Sequence, residues 1–166
     1  LLHPSTVDAK ARTVEAIVST GADAPRAGFI ERLDLAGADL SRLIGAPLLD
    51  AHRAASTRDP LGVIEAAELR PEGIWVRVKF RNNSAAESVL FDISDGTLRG
   101  LSIGYQVAEW NETRDGNHRV HIATRWTPIE VSIAPVPADP GSHFGNGEID
   151  ISHSRLAKGQ CSAALR

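Results

Sequence analysis

Ser102, His52 and Glu130 are the residues of this chain whose types and settings suit one chemistry, the attack of an activated hydroxyl on an acyl group. That chemistry needs a hydroxyl, a base to take its proton, and a group that orients and charge-balances the base. Ser102 sits in Gly100-Leu101-Ser102-Ile103-Gly104, a G-x-S-x-G pattern. Apolar positions 101, 103, 105 and 107 alternate with Ser102, Gly104 and Gln106. A period of two predicts a strand with the bulky side chains on the core face and the serine on the other. The flanking glycines would leave room for a substrate backbone. His52 ends the run Pro47-Leu48-Leu49-Asp50-Ala51, where a strand breaks into a polar loop, and imidazole is the common general base near neutrality. Asp50, two residues away, would share its face in a continuing strand and is the rival for the orienting acid. Glu130 lies in Ile129-Glu130-Val131-Ser132-Ile133, with Glu130 and Ser132 on the face opposite the aliphatic residues. A carboxylate among β-branched neighbours conflicts with strand propensity, and such conflicts often mark functional positions. Taken singly, each residue also has a plain reading as a solvent-facing side chain on a strand or loop.

The other candidates carry less. His118 and His121 have H-x-x-H spacing, which suits one helix face; on a strand they point to opposite sides, so no metal site is expected. His143 falls in a glycine-rich stretch and His153 in the tail. The chain has no phosphate-binding loop, dinucleotide fingerprint or cysteine cluster, and no cofactor is expected. A net charge of −3 without a Lys/Arg cluster gives no footprint for nucleic acid or an anionic membrane. No apolar run approaches the roughly 20 residues of a membrane span. The single cysteine, Cys161, cannot form an internal disulfide, which fits a reducing compartment. Leu1 in first place and the absence of methionine point to a fragment, a processed product or an edited chain.

The elements that must position these residues are mostly strands. Composition divides the chain into a flexible lead-in (1–11), a domain (12–141), and a linker with a C-terminal tail (142–166) that is processed or truncated. Strands are expected at 13–19, 61–66 and 73–80, the last two forming a hairpin, and at 101–110, 118–126 and 129–136. Ser84-Ala85-Ala86-Glu87 reads as a capping box opening a helix with Val89, Leu90 and Ile93 as its apolar stripe and Gly96 as its close. A weaker helical turn is expected from Leu35 to Leu43. The fold class is therefore α+β, a mainly antiparallel β-barrel with a few flanking helices. In an α/β-hydrolase the G-x-S-x-G serine occupies a strand-to-helix turn and its histidine comes later in the chain. Here a strand follows the serine and His52 precedes it.

In the order His52, Ser102, Glu130, and with the segments around them, the chain resembles the prohead (capsid maturation) serine proteases of tailed phages, a family also found in prophages and gene-transfer agents. The resemblance rests on Gly28-Phe29-Ile30-Glu31-Arg32, on Pro47 to His52, on Leu98 to Tyr105, and on Pro128 to Ala138, and it spans about Arg12 to Gly141. It implies an assemblin-like fold of the herpesvirus type. It also implies a Ser-His-Glu serine endopeptidase acting on major capsid protein or scaffold inside an assembling procapsid in the bacterial host cytoplasm, followed by self-cleavage. Carried over by position, Ser102 matches the nucleophile, His52 the base and Glu130 the third member. Self-association is a further expectation of the resemblance. Two other readings stand beside it: a non-catalytic capsid assembly or scaffold module, and, behind that, a small G-x-S-x-G esterase.

Overall fold

The computed structural model describes residues 6–145. The lead-in is not free where it is described. An isolated bridge joins Asp8 to Thr13, and the Thr6 hydroxyl accepts from the Glu15 amide at 3.3 Å. Nine strands follow: β1 (Thr13–Ser19), β2 (Ala24–Arg26), β3 (Phe29–Leu33), β4 (Pro47–Asp50), β5 (Gly62–Arg70), β6 (Gly73–Phe80), β7 (Leu101–Asp115), β8 (His118–Ile133) and β9 (His143–Phe144). One α-helix, α1 (Ser84–Ser94), interrupts them. Among the described residues the fold is thus mainly β with one α-helix, consistent with the α+β class expected from sequence but with fewer helices than the few expected.

The strands join in the order β2-β3-β8-β4-β5-β6-β1-β9, with β7 pairing β8 off that path. This is an open sheet, and the closed barrel expected from sequence is corrected. The residues before β7 meet β9 only through the isolated bridge Gly100–His143 and a bond from the Phe144 amide to the Arg99 carbonyl. A two-residue strand is too short to propagate a ladder there. The antiparallel expectation holds for most pairs, but β3 and β4 both run parallel to β8. The expected break between 126 and 129 is absent, because β8 continues through Pro128. Proline lacks the amide that a ladder requires. It is tolerated here because β3 pairs β8 only over 120–123 and β4 only over 131–133, and the single bridge between them, Ala38 to Trp126, stops short of position 128.

Period-two alternation builds the core. Val14, Ala16 and Val18 of β1 and Ile74, Val76 and Val78 of β6 are fully buried, along with Leu48, Leu101, Val131 and Ile133 from the strands of the site. Trp126 is the largest fully buried side chain; its indole N–H donates to the Asp34 carbonyl at 2.8 Å, and Tyr105 packs edge-on to it at 5.6 Å. The helix begins one residue earlier than the capping box suggests. Asn83 is the N-cap, its side chain accepting from the Ala86 amide at 2.9 Å. Asn and Ser are near-equal caps, so adjacent candidates compete. From 35 to 43 the chain makes two short 3-10 turns, Leu35–Gly37 and Leu40–Arg42, capped by Asp34 and Asp39. Among the described residues no helix is long and apolar enough to cross a membrane.

Candidate active site

Ser102, Gly104, Glu130 and Ser132 share one face of the β7–β8 ribbon, because Ser102 pairs with Ser132 and Gly104 with Glu130. Directly paired residues project side by side, with Cβ atoms about 5 Å apart. The same period that buries Leu101, Val131 and Ile133 in the core therefore puts these four on the opposite face of the ribbon, where Ser132 is itself covered completely. β4 lies on the other side of β8, with Leu49 paired to Ser132 and Asp50 to Ile133. It delivers His52 to that face from 78 residues away in sequence.

The chain does this with a tight turn. The Arg53 amide bonds to the Asp50 carbonyl at 3.0 Å, and the two central residues, Ala51 and His52, have φ of 47° and 60°. A turn with both central residues at positive φ is the type I′ form, normally filled by Gly, Asn or Asp. Alanine and histidine there carry real backbone strain, and such strain persists where surrounding contacts over-determine it. Here the contacts are the Ala51 amide bonding to the Ile133 carbonyl at 3.1 Å and the His52 amide bonding to Ser132 Oγ at 3.0 Å.

The imidazole Nδ1 of His52 lies 2.6 Å from Glu130 Oε1. An ionised carboxylate only accepts, so Nδ1 carries the hydrogen and Nε2 of the neutral ring is left with its lone pair. Ser132 Oγ donates to the other carboxylate oxygen at 2.7 Å. One hydroxyl thus clamps both the backbone of the histidine and the carboxylate that orients its ring. The His52 side chain is 50% exposed while that of Glu130 is 13% exposed, so the base faces the open side and its partner is sheltered. The hydroxyl of Ser102 has no hydrogen-bond partner among the described residues. Asp50, the rival acid, is ion-paired with Arg53 instead.

The glycines serve a different purpose from the one expected. A Cβ on Gly104 would stand 2.1 Å from Glu130 Oε1, so that position is bare to seat the carboxylate. A Cβ on Gly100 would meet the Ala134 carbonyl oxygen at 2.4 Å and Pro137 at 2.8 Å, a close approach of backbone rather than space for a substrate. The helix that an esterase requires after Ser102 is absent, since β7 begins at Leu101.

Sequence reasoning put Ser132 on the face of Glu130 but gave it no role; only the fold of β4 against β8 reveals its clamp. No cluster of three potential metal ligands occurs among the described residues. His121 stacks on Phe29 at 4.4 Å. His143 lies in β9, its Nδ1 2.7 Å from the Gly141 carbonyl, although the glycine-rich composition there predicts a linker. His153 and Cys161 lie outside the described residues.

A family described as caudovirus prohead serine protease matches residues 46–156, a span that contains His52, Ser102 and Glu130. A protein of Halomonas phage phiHAP-1 described as a major capsid protein is 42% identical over 110 residues, which is 64% of this chain. The chain spans 18% of the length of that relative.

Proposed function

The chain belongs to the caudovirus prohead serine protease family, and from that membership and the geometry around Glu130 we propose that it is a serine endopeptidase of the Ser-His-Glu type. The observation that carries the reading is the 2.6 Å contact between His52 Nδ1 and Glu130 Oε1. It leaves Nε2 with the lone pair that a base needs. His52 takes the proton of Ser102 as the hydroxyl attacks a peptide carbonyl, returns it to the leaving amine, and then activates the water that hydrolyses the acyl-enzyme. Glu130 fixes the tautomer and stabilises the imidazolium, and Ser132 fixes Glu130. Ser102 and His52 close to hydrogen-bond distance when substrate arrives, as is common for sites that are loose without it.

The oxyanion needs a donor aimed at its developing charge. The bond from the Ala134 amide to the Gly100 carbonyl at 3.0 Å marks that pair as hydrogen-bonded. Antiparallel alternation then sends the Ile103 amide away from β8, toward the open edge beside Ser102. That amide is the assigned donor. Capsid protein is the substrate class, supported by the family and by the relative described as a major capsid protein, and the setting is the interior of an assembling procapsid.

Ser102→Ala tests the reading. It should lower cleavage of co-expressed capsid protein, and any self-cleavage, by several orders of magnitude while leaving the fold intact. Undiminished cleavage, followed by intact mass, sinks the assignment. The second reading, a non-catalytic assembly module, draws on the unpartnered Ser102 hydroxyl. Covalent labelling of Ser102 by a serine-directed phosphonate rejects it.

A further inference from the structure

A cleft of about 50 Å³ opens beside Ser102, between the free edge of β7 and the β1 and β2–β3 segments. Its walls are apolar, from Val18, Ala24, Leu33 and Ile103. At 10–15 Å³ for each water-sized group, it has room for about three to five heavy atoms. Its polar end is Glu31, held by two donors on a single oxygen: Arg26 reaches Oε1 at 2.7 Å, and the Tyr105 hydroxyl donates to the same atom. Among the described residues Oε2 of Glu31 accepts no hydrogen bond. The other carboxylate of the lining, Asp139, is saturated by the Thr20 amide at 2.6 Å, the Thr20 hydroxyl at 2.8 Å, the Gly141 amide at 2.9 Å and the Ser19 hydroxyl at 3.4 Å. Arg26 against Glu31 and Asp139 leaves the lining with an excess of negative charge.

We propose that this cleft is the specificity pocket for the residue whose carbonyl Ser102 attacks, and that it selects a side chain with an apolar stem ending in a hydrogen-bond donor, glutamine or lysine, through Glu31 Oε2. The proposal rests on the protease reading of Ser102. The stem of either side chain fills the aliphatic walls, and its tip supplies the donor that Oε2 lacks. A glutamate of the same length meets a carboxylate and the negative lining, and is rejected. A leucine fits in size but covers Oε2 without giving it a partner. Arg26 and Glu31 precede the family-matched residues 46–156, so the catalytic face and the selecting end of the cleft come from different parts of the chain.

The test separates this proposal from the reading beneath it by measuring binding without turnover. The Ser102→Ala protein is titrated with N-acetyl amino acid methylamides of glutamine, lysine, leucine and glutamate, followed by NMR shifts. Glutamine and lysine probes should bind at least fivefold more tightly than leucine or glutamate probes. Adding Glu31→Gln turns an acceptor into a donor and should erase that preference, whereas Tyr105→Phe leaves the carboxylate in place and should retain it. Equal affinities, no binding, or a preference that survives Glu31→Gln overturns the pocket. Failure of Ser102→Ala to reduce cleavage overturns the protease reading instead.

Discussion

Two polar residues of the site do work that no chemistry-first list would assign them. Ser132 holds the histidine backbone and its carboxylate together, and Tyr105 ties Glu31 to the core. Tyr105 is half-buried, and its hydroxyl is pushed up to about 12, first by burial and then by its bond to Glu31 and the charge there. A raised folded value means that the associated stability is complete below pH ~10, the ordinary tyrosine value, and is lost as pH climbs through 12. The chain has one tyrosine. Absorbance of tyrosinate at 295 nm therefore reads this group alone, and its midpoint should lie near 12 in the folded protein. Glu31→Gln should lower that midpoint without returning it to 10, because burial remains. A wild-type midpoint at 10 would contradict the bond between the two side chains.

Among the elements, the turn after β4 is the least expected. Ala51 and His52 at positive φ each cost about 1–2 kcal/mol relative to ordinary backbone. Ala51→Gly relieves that cost at one position but adds about 0.4–1 kcal/mol of unfolded-chain entropy. The net expectation is a gain of about 0.5–1 kcal/mol in unfolding free energy, measured by urea denaturation; a loss would mean that the turn is not under strain. This turn also marks the limit of what the sequence discloses. The types and faces of Ser102 and Glu130 are legible, because alternation over 101–107 and 129–133 has period two. Neither Ala51 nor His52 carries a turn signature. The parallel pairing of β4 with β8 likewise has no local cue, yet it is what brings His52 to Glu130. The seating of Glu130 over Gly104 is invisible for the same reason: glycine beside a serine reads as free space until the opposite strand is in register.

On the scale of the whole molecule, the site is assembled from β4, β7 and β8, and all three lean on Trp126 and the aliphatic residues around it. Trp126→Ala removes a fully buried indole and a bond to the Asp34 carbonyl. It should cost about 3–5 kcal/mol, a large share of the 5–15 kcal/mol typical of a domain. Urea unfolding followed by circular dichroism checks this, and a loss under 1 kcal/mol would show that the indole is not part of the cooperative core. The His52–Glu130 pair should be lost in the same transition, since no single element contains it. The bare position at Gly104 carries a consequence for how such a protein can change over generations. Positions 104 and 130 behave as one locus: any side chain at 104 meets both the carboxylate and the γ-carbon of residue 130, so drift at 104 is open only to lineages that have already abandoned the acid at 130. In a pairwise mutational scan the two would appear as an epistatic couple, with Gly104→Ala harmful beside glutamate and tolerated beside alanine, which lacks the γ-carbon that a Cβ at 104 would meet at 2.7 Å.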